Sequence, residues 1–257
     1  MNERSNVLEV HDLCMRFGGL LAVNQVSLAI AREQVVSIIG PNGAGKTTVF
    51  NCITGFYKPS SGKIVYQGEA VQGLSSHKIA RKGMVRTFQH VRLFKEMTAI
   101  ENLLVAQHMH LNTNILSGLL KTPRFRLAER SALQRAQYWL EKVDLTDVAN
   151  RPAGHLAYGQ QRRLEIARCM VTEPGLLMLD EPAAGLNPKE TQDLDRLIMD
   201  LRSDEKIAVL LIEHDMKLVM DISDSIYVIN QGSPLADGTP EAIRANPDVI
   251  KAYLGES

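Results

Sequence analysis

Three short stretches of this chain bring together residue types suited to phosphate chemistry. The first, "GPNGAGKTT" (40–48), follows the apolar run "VVSIIG" and opens a helical pattern. That is the setting a GxxxxGK[ST] loop requires: a strand before it, a helix after it, and between them a backbone that can fold around an anion. Gly40, Pro41, Asn42, Gly43, Ala44, Gly45, Lys46, Thr47 and Thr48 are therefore the candidate nucleotide-binding residues. Gly43 and Gly45 permit conformations that turn successive N–H groups inward, and the helix start adds positive potential. Lys46 supplies a mobile charge for the β- and γ-phosphates, and the Thr47 hydroxyl can ligate magnesium.

The second stretch, "LLMLDEP" (176–182), is an apolar strand that delivers two adjacent carboxylates to its C-terminal end. In doubly wound sheets that is the edge where ligands bind. Asp180 is suited to holding magnesium through water, and Glu181 to polarising an attacking water. The third stretch, "LAYGQQRRLEIARC" (156–169), reads as a second helix start prepared for an anion. His214 in "AVLLIEHD" follows another apolar strand, again at the ligand edge. The loop by itself is compatible with a small-molecule kinase, a GTPase, a helicase or a transport ATPase; the paired carboxylates favour hydrolysis over mere binding.

These residues need a scaffold, and the sequence describes one. A chain of 257 residues with 45% apolar residues can bury a proper core. Short β-rich runs occupy the beginning: 7–10, 26–30, 35–40 and 63–68, the last preceded by the turn "KPSSG". Between "MVRTFQ" (84–89) and "LLMLD" the pattern turns helical, starting at Thr98 with Glu101 at capping-box spacing. Ala132, Ala136, Leu140 and Val143 recur at roughly helical spacing, whereas 112–125 shows no clear period and carries Pro123. Beyond 176, strands at 208–214 and 225–230 alternate with a helix whose inward stripe is Leu194, Leu197, Ile198 and Leu201. Such alternation predicts an α/β fold with a mainly parallel sheet covered by helices.

Charge and cysteine content narrow the setting. Basic and acidic residues balance at 29 each, so no global field favours nucleic acid, and no basic stripe is visible. Cys14, Cys52 and Cys169 are widely spaced and odd in number, which argues for buried small hydrophobes in a reducing compartment. The N-terminus has no apolar leader core, and no run is long enough to span a bilayer, so any work at a membrane requires other polypeptides to supply the spans.

Taken in this order, the phosphate loop, "TFQ", "LAYGQQR", "LLMLDEP" and "IEH" resemble the nucleotide-binding subunits of ABC transporters over essentially the whole chain. The resemblance implies a P-loop NTPase fold with an N-terminal antiparallel β subdomain and an inserted helical subdomain, dividing near 1–89 with 173–257 and 90–172. It also implies ATP and Mg2+ as ligands, with Phe17 stacking on adenine, Gln89 sensing the γ-phosphate and magnesium, and His214 bonding the γ-phosphate beside the catalytic Glu181. Leu156, Ala157, Tyr158, Gly159 and Gln160 correspond to the signature that faces the nucleotide of the opposite subunit, so each ATP site is shared by two copies of the domain. Where the usual signature reads LSGGQ, this chain has Ala157 and Tyr158. The missing hydroxyl forgoes a charge-assisted hydrogen bond of about 1.5–3 kcal/mol, and unequal sites are the expectation for a heterodimer.

"AYGQQRRLEIARC", "DEPAAGLNPKET" and "IEHDMKLVM" are similar to one branch in particular, the ATPases of bacterial high-affinity branched-chain amino-acid importers. The partners so implied are a second ATPase subunit, in a heterodimer or a homodimer, two membrane permeases and, indirectly, a periplasmic binding protein. The implied location is the cytoplasmic face of the inner membrane, peripherally bound. Val91, Leu93 and Phe94 beside Gln89 are candidates for transmitting motion to a permease. ATPases for urea or short-amide import and for lipopolysaccharide export remain alternatives, as do a soluble P-loop kinase and a non-transport ABC ATPase.

Overall fold

A computed structural model describes residues 5–107 and 123–254. The aperiodic stretch 112–122 lies outside the described residues; Pro123 opens a helix. Residues up to Arg86 together with those from Gly175 onward form one compact unit, and Thr87–Pro174 the other.

The first unit contains two sheets. Long strands β1 (Asn6–Phe17) and β2 (Leu20–Ala31) pair antiparallel, and β1 also pairs antiparallel with β4 (Ser61–Tyr66), which carries the short β5 (Glu69–Ala70). The second sheet has the order β10-β9-β3-β8-β7-β6. Its strands are β3 (Val35–Ile39), β6 (Met84–Arg86), β7 (Leu176–Asp180), β8 (Ala208–Ile212), β9 (Ser225–Asn230) and β10 (Ser233–Gly238). All neighbours run parallel except β10, which joins β9 antiparallel at the edge. The sequence reading of a mainly parallel sheet and an antiparallel N-terminal one is met.

Strands β3, β7 and β8 are buried along their whole length, which is why they read as continuous apolar runs. The one hydroxyl inside β3, on Ser37, shares a 2.6 Å hydrogen bond with Ser223 and so costs little to bury. Alternation sends Val36 and Ile38 into a large core with the antiparallel sheet and α1 (Lys46–Ile53), while Ile39 faces a smaller cluster with Val219, Ile226, Val228, Ile243 and Val249. The second cluster is covered by α7 (Met216–Ile222), α8 (Pro240–Arg244) and α9 (Pro247–Leu254). The short α2 (Ser76–Arg81) precedes β6 and buries Ile79. Helix α6 (Pro188–Ser203) begins with a full capping box, Asn187 accepting from Glu190 N–H and Glu190 reaching back, with Pro188 pre-set at the first helical position. Its inward stripe is Leu194, Leu197, Ile198 and Leu201, as the periodicity predicts.

The second unit is helical. Helix α3 (Ala99–Ala106) starts on the Thr98–Glu101 capping box. Helices α4 (Pro123–Lys142) and α5 (Tyr158–Met170) follow, and Ala132, Ala136, Leu140 and Val143 are buried. Among the described residues, no helix is long and apolar enough to cross a membrane. Cys52 and Cys169 are buried, and burial pushes their thiols up to about 11 and about 12. Cys14 differs from expectation in being half-buried, its sulfur accepting from Gln25 N–H at 3.3 Å.

Candidate nucleotide site

The phosphate loop hangs from the C-terminal end of β3, an interior strand of the six-stranded sheet, and opens α1. Gly43 and Gly45 have φ of +81° and +99°, the left-handed region that a side chain resists. Gly45 has a second constraint: a Cβ there would sit 2.7 Å from the Ala22 carbonyl oxygen. Lys46 is buried, and its ammonium donates to the carbonyls of Gly40 (2.6 Å) and Pro41 (2.9 Å). Burial lowers its pKa, and the nearby Glu181 and Asp180 carboxylates oppose that shift.

A cavity of about 530 Å3 opens over this loop, large enough for a small-molecule ligand. Its walls include Phe17 and residues 42–48, with Glu181 and His214. Seven predicted positions in the loop thus meet Phe17, Glu181 and His214, from four separated stretches of sequence, around one space. The lining also includes Leu20, Leu21, Ala22, Gln231 and Gly232, which sequence reasoning missed because small apolar residues in a β-hairpin and a Gln-Gly turn carry no chemical signature. Phe17 is 41% exposed and makes a T-shaped contact with Tyr57, ring centroids 5.2 Å apart, so part of its ring is open at the rim.

His214 and Glu181 are joined directly, Nε2 to Oε1 at 2.5 Å. Glu181 sits at φ +48°, a strained setting for a residue with a Cβ, held by its N–H donating to the Ile212 carbonyl at 2.9 Å. Behind His214 lies Glu213, buried and unforeseen. Its carboxylate accepts from the N–H groups of Ala183 (2.7 Å) and His214 (2.9 Å), tying the segment after β7 to the segment after β8. Burial raises its pKa while those N–H groups and His214 pull it down.

Asp180 lies at the end of β7, buried and paired with Arg86 Nη2 at 2.7 Å. No group of three or more His, Cys, Asp and Glu among the described residues is arranged to hold a metal by itself. The donors present, one hydroxyl in Thr47 and one carboxylate in Asp180, suit magnesium, which takes few protein oxygens and keeps its remaining positions for water and phosphate.

Gln89 and the 156–160 stretch belong to the helical unit. Ala157 is the N-cap of α5, and without a side-chain acceptor it leaves only half a capping box: Gln160 reaches back to the Ala157 N–H at 3.1 Å. Leu156 and Gly159 are buried, Gln160 half-buried, and Ala157 and Tyr158 exposed. Arg162, one turn into the helix and 1% exposed, donates to the carbonyls of Phe88 (2.7 Å) and Gln89 and pairs with Glu165 (3.1 Å). Glu165 in turn accepts from Arg92 N–H at 3.1 Å. The main chain around Gln89 is therefore fixed from α5 while its side chain is exposed. Phe94 is also exposed, and Val91 and Leu93 are half-buried.

A phosphate loop at the end of a central parallel strand, facing a carboxylate and a histidine on neighbouring strand ends, defines a P-loop nucleotide-binding protein. Comparison with known proteins is more specific. The family model for ABC transporters matches residues 23–184, and one for the branched-chain amino acid ATP-binding cassette transporter matches 233–257. The chain belongs to the ABC transporter ATPase family. It is 73% identical to the high-affinity branched-chain amino acid transport ATP-binding protein BraF of Pseudomonas aeruginosa and 67% identical to LivG of Escherichia coli, covering 98% of each pair. A crystal structure of the ADP conformation of an ATP-binding cassette of an ABC transporter superposes with a TM-score of 0.84 at 30% identity, covering 98% of this chain and all of that one.

Proposed function

We propose that this chain is the ATP-hydrolysing subunit of an ABC importer for branched-chain amino acids, working beneath separate membrane permeases. The observation that carries the catalytic reading is the Glu181–His214 pair facing the phosphate loop across one cavity. The similarity to BraF and LivG supports the cargo.

Each residue then has a task. Phe17 offers its face to adenine, and the inward N–H groups of 42–48 receive the phosphates. Lys46 exchanges its two carbonyl partners for phosphate oxygens. Thr47 and Asp180, the latter through water, would hold a magnesium ion; the ion would supply charge neutralisation at the phosphates. Glu181 takes the proton from water as its oxygen attacks the γ-phosphorus and the bond to the ADP oxygen breaks. His214 orients that carboxylate and donates to the γ-phosphate.

Residues 156–160 serve the nucleotide of a second ATPase subunit, in a heterodimer or a homodimer, so ATP draws the two together and hydrolysis lets them part. The working location is the cytoplasmic face of the bacterial inner membrane, with a periplasmic binding protein delivering solute to the permeases.

Glu181→Gln keeps size and hydrogen bonding but removes the base. Turnover is expected to fall by about 10²- to 10⁴-fold while ATP binding persists; wild-type turnover in that variant refutes the assignment. For the cargo, the purified assembly with its permeases and binding protein is expected to hydrolyse ATP faster with leucine, isoleucine or valine, and stimulation by urea or by none of these contradicts the reading.

A further inference from the structure

Arg86 is a buried cation that the reading above does not use. It ends the short strand β6, and its side chain is 8% exposed, against 5% for Asp180. Nη2 donates to Asp180 Oδ2 at 2.7 Å, while Nη1 donates to Asn51 Oδ1 at 2.6 Å and to Thr54 Oγ1 at 3.3 Å. Its guanidinium carbon lies 5.7 Å from the ring centroids of both Phe50 and Phe56. Phe50 and Asn51 are on α1, the helix opened by the phosphate loop, and Thr54 caps its end. One planar fork therefore links the far end of that helix to the carboxylate at the end of β7.

A carboxylate this buried needs a compensating charge whether or not a metal is near. Arg suits the part because it stays protonated and its fork can serve two partners at once. The same positive charge, held 2.7 Å from the carboxylate, opposes the approach of a divalent cation to that site, since like charges in a partly desolvated setting repel strongly.

We propose that Arg86 is the stand-in counterion of the metal site. It balances Asp180 when no magnesium is held, and thereby limits how tightly the metal–nucleotide complex is kept. Arg86 is a positioning residue in this scheme, acting on the metal through Asp180, and the proposal rests on the nucleotide-site reading above. A site with such a built-in competitor can release its metal and spent nucleotide without leaving a bare buried charge behind.

The test uses the full chain as wild type, Arg86→Met, Arg86→Gln and Arg86→Lys at pH 8. Nucleotide binding is titrated against magnesium by calorimetry with a non-hydrolysable ATP analogue, and thermal midpoints are recorded without metal. Arg86→Met is expected to lower the metal-free midpoint and to reduce the magnesium concentration for half-maximal nucleotide binding by about threefold or more. Arg86→Gln, which retains a hydrogen-bond donor without the charge, is expected to shift it the same way and stands in if the Met variant does not fold. Arg86→Lys, which keeps the charge, is expected to stay near wild type. A merely structural Arg86 would change thermal midpoints and leave the magnesium dependence alone. An unchanged or increased magnesium requirement in the neutral variants overturns the proposal. Wild-type protein that binds the analogue equally well with and without magnesium would instead overturn the metal-site reading itself.

Discussion

Asp195 offers a prediction whose sign and size follow from its surroundings. It lies on α6, and one of its carboxylate oxygens is buried without a hydrogen-bond partner among the described residues. Burial pushes its carboxyl up from 3.8 to about 6; the negative charges of Asp221, Asp215 and Glu213 add to the shift and Lys217 opposes it. A folded-state pKa above the unfolded value means that the native protein holds this proton more tightly. The group is neutral in both states well below pH 4, begins to cost stability as pH rises past the unfolded value, and imposes its full penalty above about pH 6. A rise of this size would amount to about 3 kcal/mol for a fully desolvated group, but partial exposure screens this to about 1 kcal/mol. Asp195→Asn preserves the side chain's size and removes the charge. The variant is expected to gain about 1 kcal/mol over wild type at pH 7.5, seen as a rise of about 2–4 °C in the thermal midpoint, and about half that gain at pH 5. Urea unfolding of the ligand-free protein at the two pH values provides the comparison. A gain independent of pH, or a loss at pH 7.5, would refute the reasoning.

Two further predictions concern the loop. Lys46→Ala removes a charge-assisted contact of about 1.5–3 kcal/mol to phosphate, so ATP affinity should fall roughly 10- to 150-fold in a calorimetric titration, and an unchanged affinity contradicts the role given to Lys46. Gly45→Ala must bear both a left-handed backbone and a Cβ against the Ala22 carbonyl, whereas Gly43→Ala meets open space and bears only the first. Urea unfolding should show a loss of about 2–4 kcal/mol for Gly45→Ala against about 1–2 for Gly43→Ala, and equal losses would show that the close approach to Ala22 carries no weight.

Much of this was legible in the sequence because it is local. The phosphate loop announces itself between an apolar run and a helix; Thr98 and Glu101 mark a helix start by spacing alone; the α6 stripe follows from period. What escaped was decided elsewhere in the chain. Strand β6 is three residues long, falls where the pattern turns helical, and becomes a strand by pairing with β7. Strand β10 carries Pro234, tolerated because β10 is an edge strand. Arg86, Arg162 and Glu213 look like surface charges in sequence, and become interior residues only through partners 94, 74 and 30 positions away. Long-range pairing of this kind has no periodic or compositional trace.

The placement of β3 bears on how the chain acquires its shape during synthesis. Both of its neighbours, β8 and β9, are encoded in the last fifth of the polypeptide. As the nascent chain leaves the ribosome, the loop that will cradle a triphosphate is among the earlier segments to appear, yet its supporting strand waits without lateral partners through most of translation. Competence for nucleotide should therefore arrive late and abruptly, and ribosome-stalled chains ending before residue 208 should gain no protease resistance from added ATP.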